Sequence, residues 1–166
     1  IVGRDGRKSG SMVNSLVVTS LRSLGINVTD LGMASTPTVE VAVTGTGSDG
    51  GIIITASHNP AEWNAMKLLT EAGECLSGNE GNEVVDIADR EDFMFNPVDS
   101  IGTLDFDDSW GRKHIDLILN LKLVDVDAIR SAGFAVAIDC INSVGGVIVP
   151  ELLNSLGVER IYELNT

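Results

Sequence analysis

Apolar positions along the chain change period repeatedly, and the changes mark out alternating strands and helices. Ile1-Val2 reads as the tail of a strand that runs into the loop Gly3-Arg4-Asp5-Gly6-Arg7-Lys8-Ser9-Gly10. After Ser9, the residues Val13, Leu16, Val17, Leu21 and Leu24 recur at helical spacing until Gly25 stops them. Ile26 to Leu31 predicts a short strand. Thr36-Pro37 reads as a helix start, with Thr36 as N-cap and Pro37 at the first helical position. Val39 to Val43 would be a short helix, broken by the glycines between Gly45 and Gly51. Ile52-Ile53-Ile54-Thr55 is an unbroken β-branched run, as in a strand buried on both faces. The loop from Ala56 to Asn64 leads to a further strand, Met66 to Leu69, closed by a turn at Glu71-Ala72-Gly73.

The second half follows the same alternation less cleanly. Residues 79–91 have a helical pattern. Residues 92–109 are acidic and broken by Pro97 and Gly102, which predicts a linker laid on the surface by Phe93, Phe95 and Phe106. Helices are expected at Trp110 to Leu121 and Asp125 to Ala132. The strand Ala135 to Ile138, the turn Cys140 to Gly146, the helix Val147 to Leu156 and the strand Arg160 to Leu164 compose one βαβ unit. The fold class is therefore α/β: a three-layer domain with a mixed, mostly parallel sheet flanked by helices, followed by the opening βαβ unit of a second, similar domain. The expected boundaries are 1–91 for the first domain, 92–124 for an acidic linker and helix completing it, and 125–166 for the start of the second. A lone βαβ unit leaves strand edges and one apolar face uncovered. Self-association through residues 135–166 is expected of it.

Composition narrows the functional classes. Of the 166 residues, 43% are hydrophobic and 21% charged, a balance that excludes intrinsic disorder. No apolar run is long enough to span a bilayer and no signal-peptide pattern is visible, which makes the cytoplasm the expected location. Residues 1–67 carry five basic and five acidic side chains; the rest carry six and nineteen, so the whole net charge of −13 belongs to the later part. Such a surface excludes nucleic acid and anionic membrane as partners, while the neutral first part can host an anionic substrate. Cys75 and Cys140 lie far apart with no His or Cys at metal-ligand spacing, and read as two reduced thiols.

Chemistry concentrates in Thr55-Ala56-Ser57-His58-Asn59-Pro60. The hexapeptide follows the buried strand directly, at the carboxyl edge where open α/β sheets bind their ligands. Pro60 keeps Asn59 out of helical geometry and stiffens the turn. A hydrolase triad is a poor reading, because neighbours on an extended backbone point opposite ways and His58 would face away from Ser57. His114 lies on an amphipathic helix and reads as a satisfied structural residue. The turn Asn142-Ser143-Val144-Gly145-Gly146 has a faint phosphate-loop look but reads more simply as a strand-to-helix connection.

The hexapeptide resembles the active-site loop of the α-D-phosphohexomutases, the phosphoglucomutase, phosphomannomutase and phosphoglucosamine mutase family. Gly3-Arg4-Asp5-Gly6-Arg7 with Ser9-Gly10, Leu31-Gly32 with Thr36-Pro37-Thr38, and Asn64-Ala65-Met66-Lys67 are similar to further family segments. Asp139-Cys140-Ile141-Asn142 with Pro150-Glu151-Leu152 resembles the opening of the family's second domain. Ala65 stands where family members have glycine. The Asp-Gly-Asp-x-Asp-Arg metal run of the second domain has no counterpart here, and Asp105-Phe106-Asp107-Asp108 and Asp125-Val126-Asp127 read as solvated charge.

The resemblance implies an intramolecular phosphotransferase that moves a phosphoryl group between the C1 and C6 oxygens of a hexose phosphate through a bisphosphorylated sugar. It implies that Ser57 carries the phosphoryl group and, through that phosphate, ligates Mg²⁺, whose other ligands would lie outside this chain. Lys67 would act as general acid/base or charge stabiliser, and His58 would orient the phosphoryl group or a sugar hydroxyl. Arg4, Arg7 and Asn59 are the implied phosphate- and substrate-binding residues, with an Arg7–Asp5 pair that rigidifies the turn as an equal alternative for Arg7. The 166 residues alone are expected to be inactive. A non-catalytic phosphosugar-binding or regulatory module is the alternative to the enzyme.

Overall fold

The β-branched run lies inside a five-stranded sheet. The computed structural model describes all residues, 1–166. In chain order it contains β1 (Val2–Arg4), α1 (Gly10–Ser23), β2 (Val28–Met33), α2 (Thr36–Thr46), β3 (Gly51–Ile54), β4 (Met66–Leu69), α3 (Gly78–Asp89), β5 (Leu104–Phe106), α4 (Trp110–Leu119), α5 (Val126–Ala132), β6 (Ala135–Asp139), α6 (Gly145–Ser155) and β7 (Arg160–Leu164). The sheet order is β4-β3-β1-β2-β5, with β4 antiparallel to β3 and every other pair parallel. β6 and β7 form a separate parallel pair, connected through α6. No helix is long and apolar enough to cross a membrane.

Alternation along β3 builds two apolar layers. Ile53 joins Leu31, Val39, Val43, Leu69 and Trp110 on the α2 side. Ile54 joins Val2, Val18 and Val28, with Val13, Val17 and Leu21 of α1 packed against them. Successive strand residues point to opposite faces, so one β-branched run seeds both layers. The mixed, mostly parallel sheet with flanking helices is the architecture the sequence predicts.

Several details differ from expectation. α2 is capped by Ser35, whose Oγ accepts the Thr38 N–H at 3.3 Å, so Thr36 is already helical. α2 also runs past Val43 to Thr46 and ends at Gly47, whose left-handed φ of 66° suits a glycine cap. It passes through Gly45 because Trp110 of α4 packs on that position, where a side chain would overlap the indole.

The segment read as a linker contains an edge strand, β5, paired in parallel with β2. Phe93, Phe95 and Phe106 are 48%, 68% and 75% exposed, so they do not hold it down. Backbone bonds do: Asn96 N–H to Ser23 O (2.8 Å), Gly102 N–H to Arg22 O (2.8 Å) and Val28 N–H to Thr103 O (3.0 Å), with Arg22 Nε donating to Gly102 O at 2.9 Å. At Gly102 a Cβ would overlap the Ile26 carbonyl, so the approach depends on glycine. Gly102→Ala is expected to cost about 2 kcal/mol, a fall of roughly 4–8 °C in Tm measured by calorimetry.

α4 packs on α2 through Trp110 and through His114, whose Nδ1 lies 3.0 Å from Thr38 Oγ1. Burial lowers the His114 pKa below its ordinary 6.5. The unfolded chain therefore binds this proton more readily than the folded one, and stability is lost as pH falls below about 6.5. His114→Gln should remove that part of the pH dependence while leaving the rest of the acid limb, measured as Tm against pH.

Candidate active site

β3 leaves the sheet through Thr55 and Ala56, both buried, and enters an exposed turn over residues 57–63. Ser57 has φ 53°, a left-handed conformation that lifts its hydroxyl clear of the sheet edge. The turn is not extended here, and this corrects the alternation argument. Ser57 Oγ and His58 Nδ1 lie 3.4 Å apart on the same side, at the long end of hydrogen-bond range. Asn59 N–H closes the turn onto Ala56 O at 3.0 Å.

Arg7 holds this turn. Its Nη2 donates to Ser57 O and Asn59 O, both at 2.8 Å, and its Nη1 to Pro60 O (2.8 Å) and Trp63 O (3.1 Å). Its Nε donates to Asp5 Oδ2 at 3.2 Å. A guanidinium has five N–H groups, so Arg7 has none to give a phosphate in this arrangement. Of the two sequence readings for Arg7, the geometry supports rigidifying the turn. Asp5 extends the clamp: it accepts the Arg7 backbone N–H at 3.0 Å and the Thr55 hydroxyl at 2.7 Å, and Thr55 Oγ1 accepts the Ser57 N–H at 3.2 Å.

Ser57, His58 and Asn59 line a cleft of about 480 Å³ with Lys8 and, on the opposite wall, Ile141, Asn142 and Ser143. The other nominated residues stand apart from it. Arg4 ends β1, with Nη1 donating to Asp5 O at 3.1 Å and its stem against Gly10, and is not among the cleft-lining residues. Lys67 is half-buried on β4 opposite Ile53, its ammonium without a hydrogen-bond partner, and also lies outside the lining. Ala65 is not left-handed, so the position does not need glycine here. Asn64 ties the turn's far end to the α1 start, with Nδ2 donating to Ser9 Oγ at 3.1 Å.

Sequence reasoning passed over Lys8, Thr55 and the cleft-facing role of residues 141–143. Lys8 and Thr55 sit inside the quoted motifs, which was their only signal.

The residues present do not make a magnesium centre. Nowhere in the chain do three or more His, Cys, Asp or Glu side chains gather as a metal site. Asp5 is committed to Arg7 and Thr55. Asp139 Oδ1 takes the Ile141 N–H and the Asn165 amide, each at 3.0 Å. Asp107 is held to about 2 by the Ser109 hydroxyl and by Lys113, and Asp125 caps α5.

Residues 1–95 match the sequence model of phosphoglucomutase/phosphomannomutase, alpha/beta/alpha domain I. The chain belongs to that family. It is 39% identical over 130 residues to a phosphoglucomutase/phosphomannomutase of Thermococcus kodakarensis, covering 78% of this chain and 28% of that protein. It is 37% identical over 139 residues to a phosphoglucosamine/phosphogalactosamine mutase of Sulfurisphaera tokodaii, covering 83% and 30%. A crystal structure of a phosphoglucomutase/phosphomannomutase family protein from Burkholderia thailandensis superposes with a TM-score of 0.80 at 25% identity, over 99% of this chain and 35% of that one. Parafusin from Paramecium, in its open form, shares the fold with a TM-score of 0.75 at 20% identity, over 99% and 35%. This phosphohexomutase-family chain thus spans about three tenths of the length of the curated relatives it matches.

The clamp makes a testable demand. Arg7→Ala frees four carbonyls, so amide hydrogen exchange over residues 57–63 should quicken at least tenfold while the sheet strands keep their protection. Arg7→Lys should behave nearly as badly, because an ammonium has three donors and no fork.

Proposed function

We propose that this chain is the phosphoserine-bearing part of a cytoplasmic phosphohexomutase, an isomerase of carbohydrate metabolism that shifts a phosphoryl group between the C1 and C6 oxygens of a hexose phosphate. One observation carries the reading: Ser57 stands at the carboxyl edge of β3, in a left-handed turn whose carbonyls Arg7 fixes, at the mouth of a cleft. A serine so held suits a phosphoryl carrier, which must keep one geometry through both half-reactions.

In the first half-reaction the P–O bond to Ser57 Oγ breaks as a bond forms to the sugar hydroxyl, whose proton passes to a base. The sugar turns over, and the second half-reaction returns its other phosphoryl group to Ser57. His58, beside Ser57 Oγ, would orient the phosphoryl group, and Lys8 would meet the substrate's phosphate from the same cleft. Asn59 would bind substrate through its carboxamide. Lys67 as acid/base, and Arg4 as a phosphate ligand, need the closed geometry of the complete protein, since neither lines the cleft here.

Magnesium is the cofactor the family implies. A phosphate on Ser57 is the one ligand this chain would contribute, so the others would come from elsewhere in the protein. Residues 1–91, completed by 92–124, are proposed as the first domain and 125–166 as the opening of the second. The uncovered face and edges of the β6–β7 pair would support self-association of these residues alone.

The test is mass spectrometry with a coupled mutase assay. The complete protein is expected to carry one phosphoryl group that Ser57→Ala abolishes, together with all turnover. The 166 residues alone are expected to fold and show no turnover. Absence of both phosphate and turnover on glucose, mannose and glucosamine phosphates would leave only a phosphosugar-binding module.

A further inference from the structure

The loop between β6 and α6 contains two consecutive left-handed residues, Ile141 at φ 47° and Asn142 at φ 53°. Asparagine tolerates that region, but a β-branched isoleucine there is a genuine outlier. Such conformations persist only where the surroundings over-determine them, and they concentrate at functional sites. Here the surroundings are explicit. Asp139 Oδ1 accepts the Ile141 N–H at 3.0 Å, Asn142 N–H donates to Asn165 O at 2.6 Å, and Ser143 N–H donates to Cys140 O at 2.9 Å.

The same loop is locked to the Ser57 side of the cleft. Ser143 Oγ accepts the Gly6 N–H at 3.0 Å. At Gly6 a Cβ would lie 2.8 Å from Asn142 O and 2.9 Å from Ser143 Cα, so the two backbones meet directly and leave no room for a side chain. Gly6 is flanked by Asp5 and Arg7, the two residues that clamp the serine turn. The strained loop is thereby set in register with Ser57 across the cleft that both line.

The two oppositely charged residues that flank Gly6 are already committed within the protein. Arg7 has used its five donors and Asp5 both its oxygens. The Asn142 carboxamide is exposed in the cleft wall and makes no hydrogen bond within the protein. A glycine would satisfy φ 53° with less strain. A carboxamide both donates and accepts, which matches both capacities of a sugar hydroxyl, whereas a phosphate dianion would use only its donors.

We propose that Asn142 binds a ring hydroxyl of the hexose phosphate while Ser57 exchanges the phosphoryl group, and that the strained Ile141-Asn142 turn exists to hold it there. The assignment rests on the phosphohexomutase reading and adds a substrate contact from the β6–α6 loop. The contact is made alike in the ground and transition states, so its loss appears in KM.

The experiment compares the complete protein with Asn142→Gly and Asn142→Asp, assayed on glucose, mannose and glucosamine phosphates with Tm recorded alongside. Asn142→Gly keeps the turn and removes the carboxamide. KM should rise about tenfold with kcat within twofold, the loss expected for one neutral hydrogen bond, and Tm should hold or rise. Asn142→Asp keeps the shape, loses the donor and adds a negative charge, so KM should rise further. Unchanged KM in an active Asn142→Gly protein, with Tm raised, would show that Asn142 only shapes the turn and would overturn the proposal alone. A wild-type protein inactive on all three sugars would overturn both the proposal and the reading beneath it.

Discussion

A turn of seven exposed residues has little reason to keep one conformation, because water satisfies its carbonyls as well as protein does. Arg7 changes that balance by offering a rigid fork of five donors to four of those groups and to Asp5. The guanidinium loses little freedom per bond formed, since its geometry is planar and preset. Asp5 then passes the constraint through Thr55 to the Ser57 amide. Gly6, between them, receives the β6–α6 loop. Three consecutive residues therefore fix both walls of the cleft. Displacing this short stretch would disturb the serine turn and its facing loop together.

The stretch can do this because of where β1 runs. β1 lies between β3 and β2, in parallel with both, so its carboxyl end opens beside the end of β3. Buried isoleucines on both faces of β3 hold that edge. Rigidity thus passes from an apolar frame to a polar clamp and only then to the exposed hydroxyl. This ordering lets a left-handed serine persist in solvent.

What could be read beforehand follows from which signals are local. The run Ile52-Ile53-Ile54 announces a buried strand because each side chain must find an apolar layer, and helical spacing from Val13 to Leu21 announces α1. β5 could not be read, since Leu104-Asp105-Phe106 is short and mostly exposed and gains its place from backbone pairing with β2. The hexapeptide announced an exposed turn after β3, but strand alternation would have turned His58 away from Ser57, whereas the left-handed φ of Ser57 leaves the two side chains 3.4 Å apart. The spacing of Arg4 and Arg7 could not say which had free donors, because the four carbonyls that Arg7 binds lie 50 to 56 residues away. The strain at Ile141 was equally invisible: it is imposed by Asn165 and Asp139 around a turn that reads as ordinary sequence.

Net charge is a poor guide to this cleft. The value of −13 comes from residues after position 67, whereas the Asp, Glu, Lys and Arg residues of the cleft wall are Asp5, Arg7 and Lys8. Asp5 and Arg7 neutralise each other at 3.2 Å, which leaves Lys8 as the uncompensated charge. The facing wall, Ile141 to Ser143, adds none. Exposed acidic groups farther away than about 8 Å are largely screened at physiological ionic strength. A small anion entering this cleft would therefore meet a locally cationic, hydrogen-bonding surface on a molecule that repels anions as a whole, and the acidic exterior disfavours nonspecific polyanions without weakening the cleft.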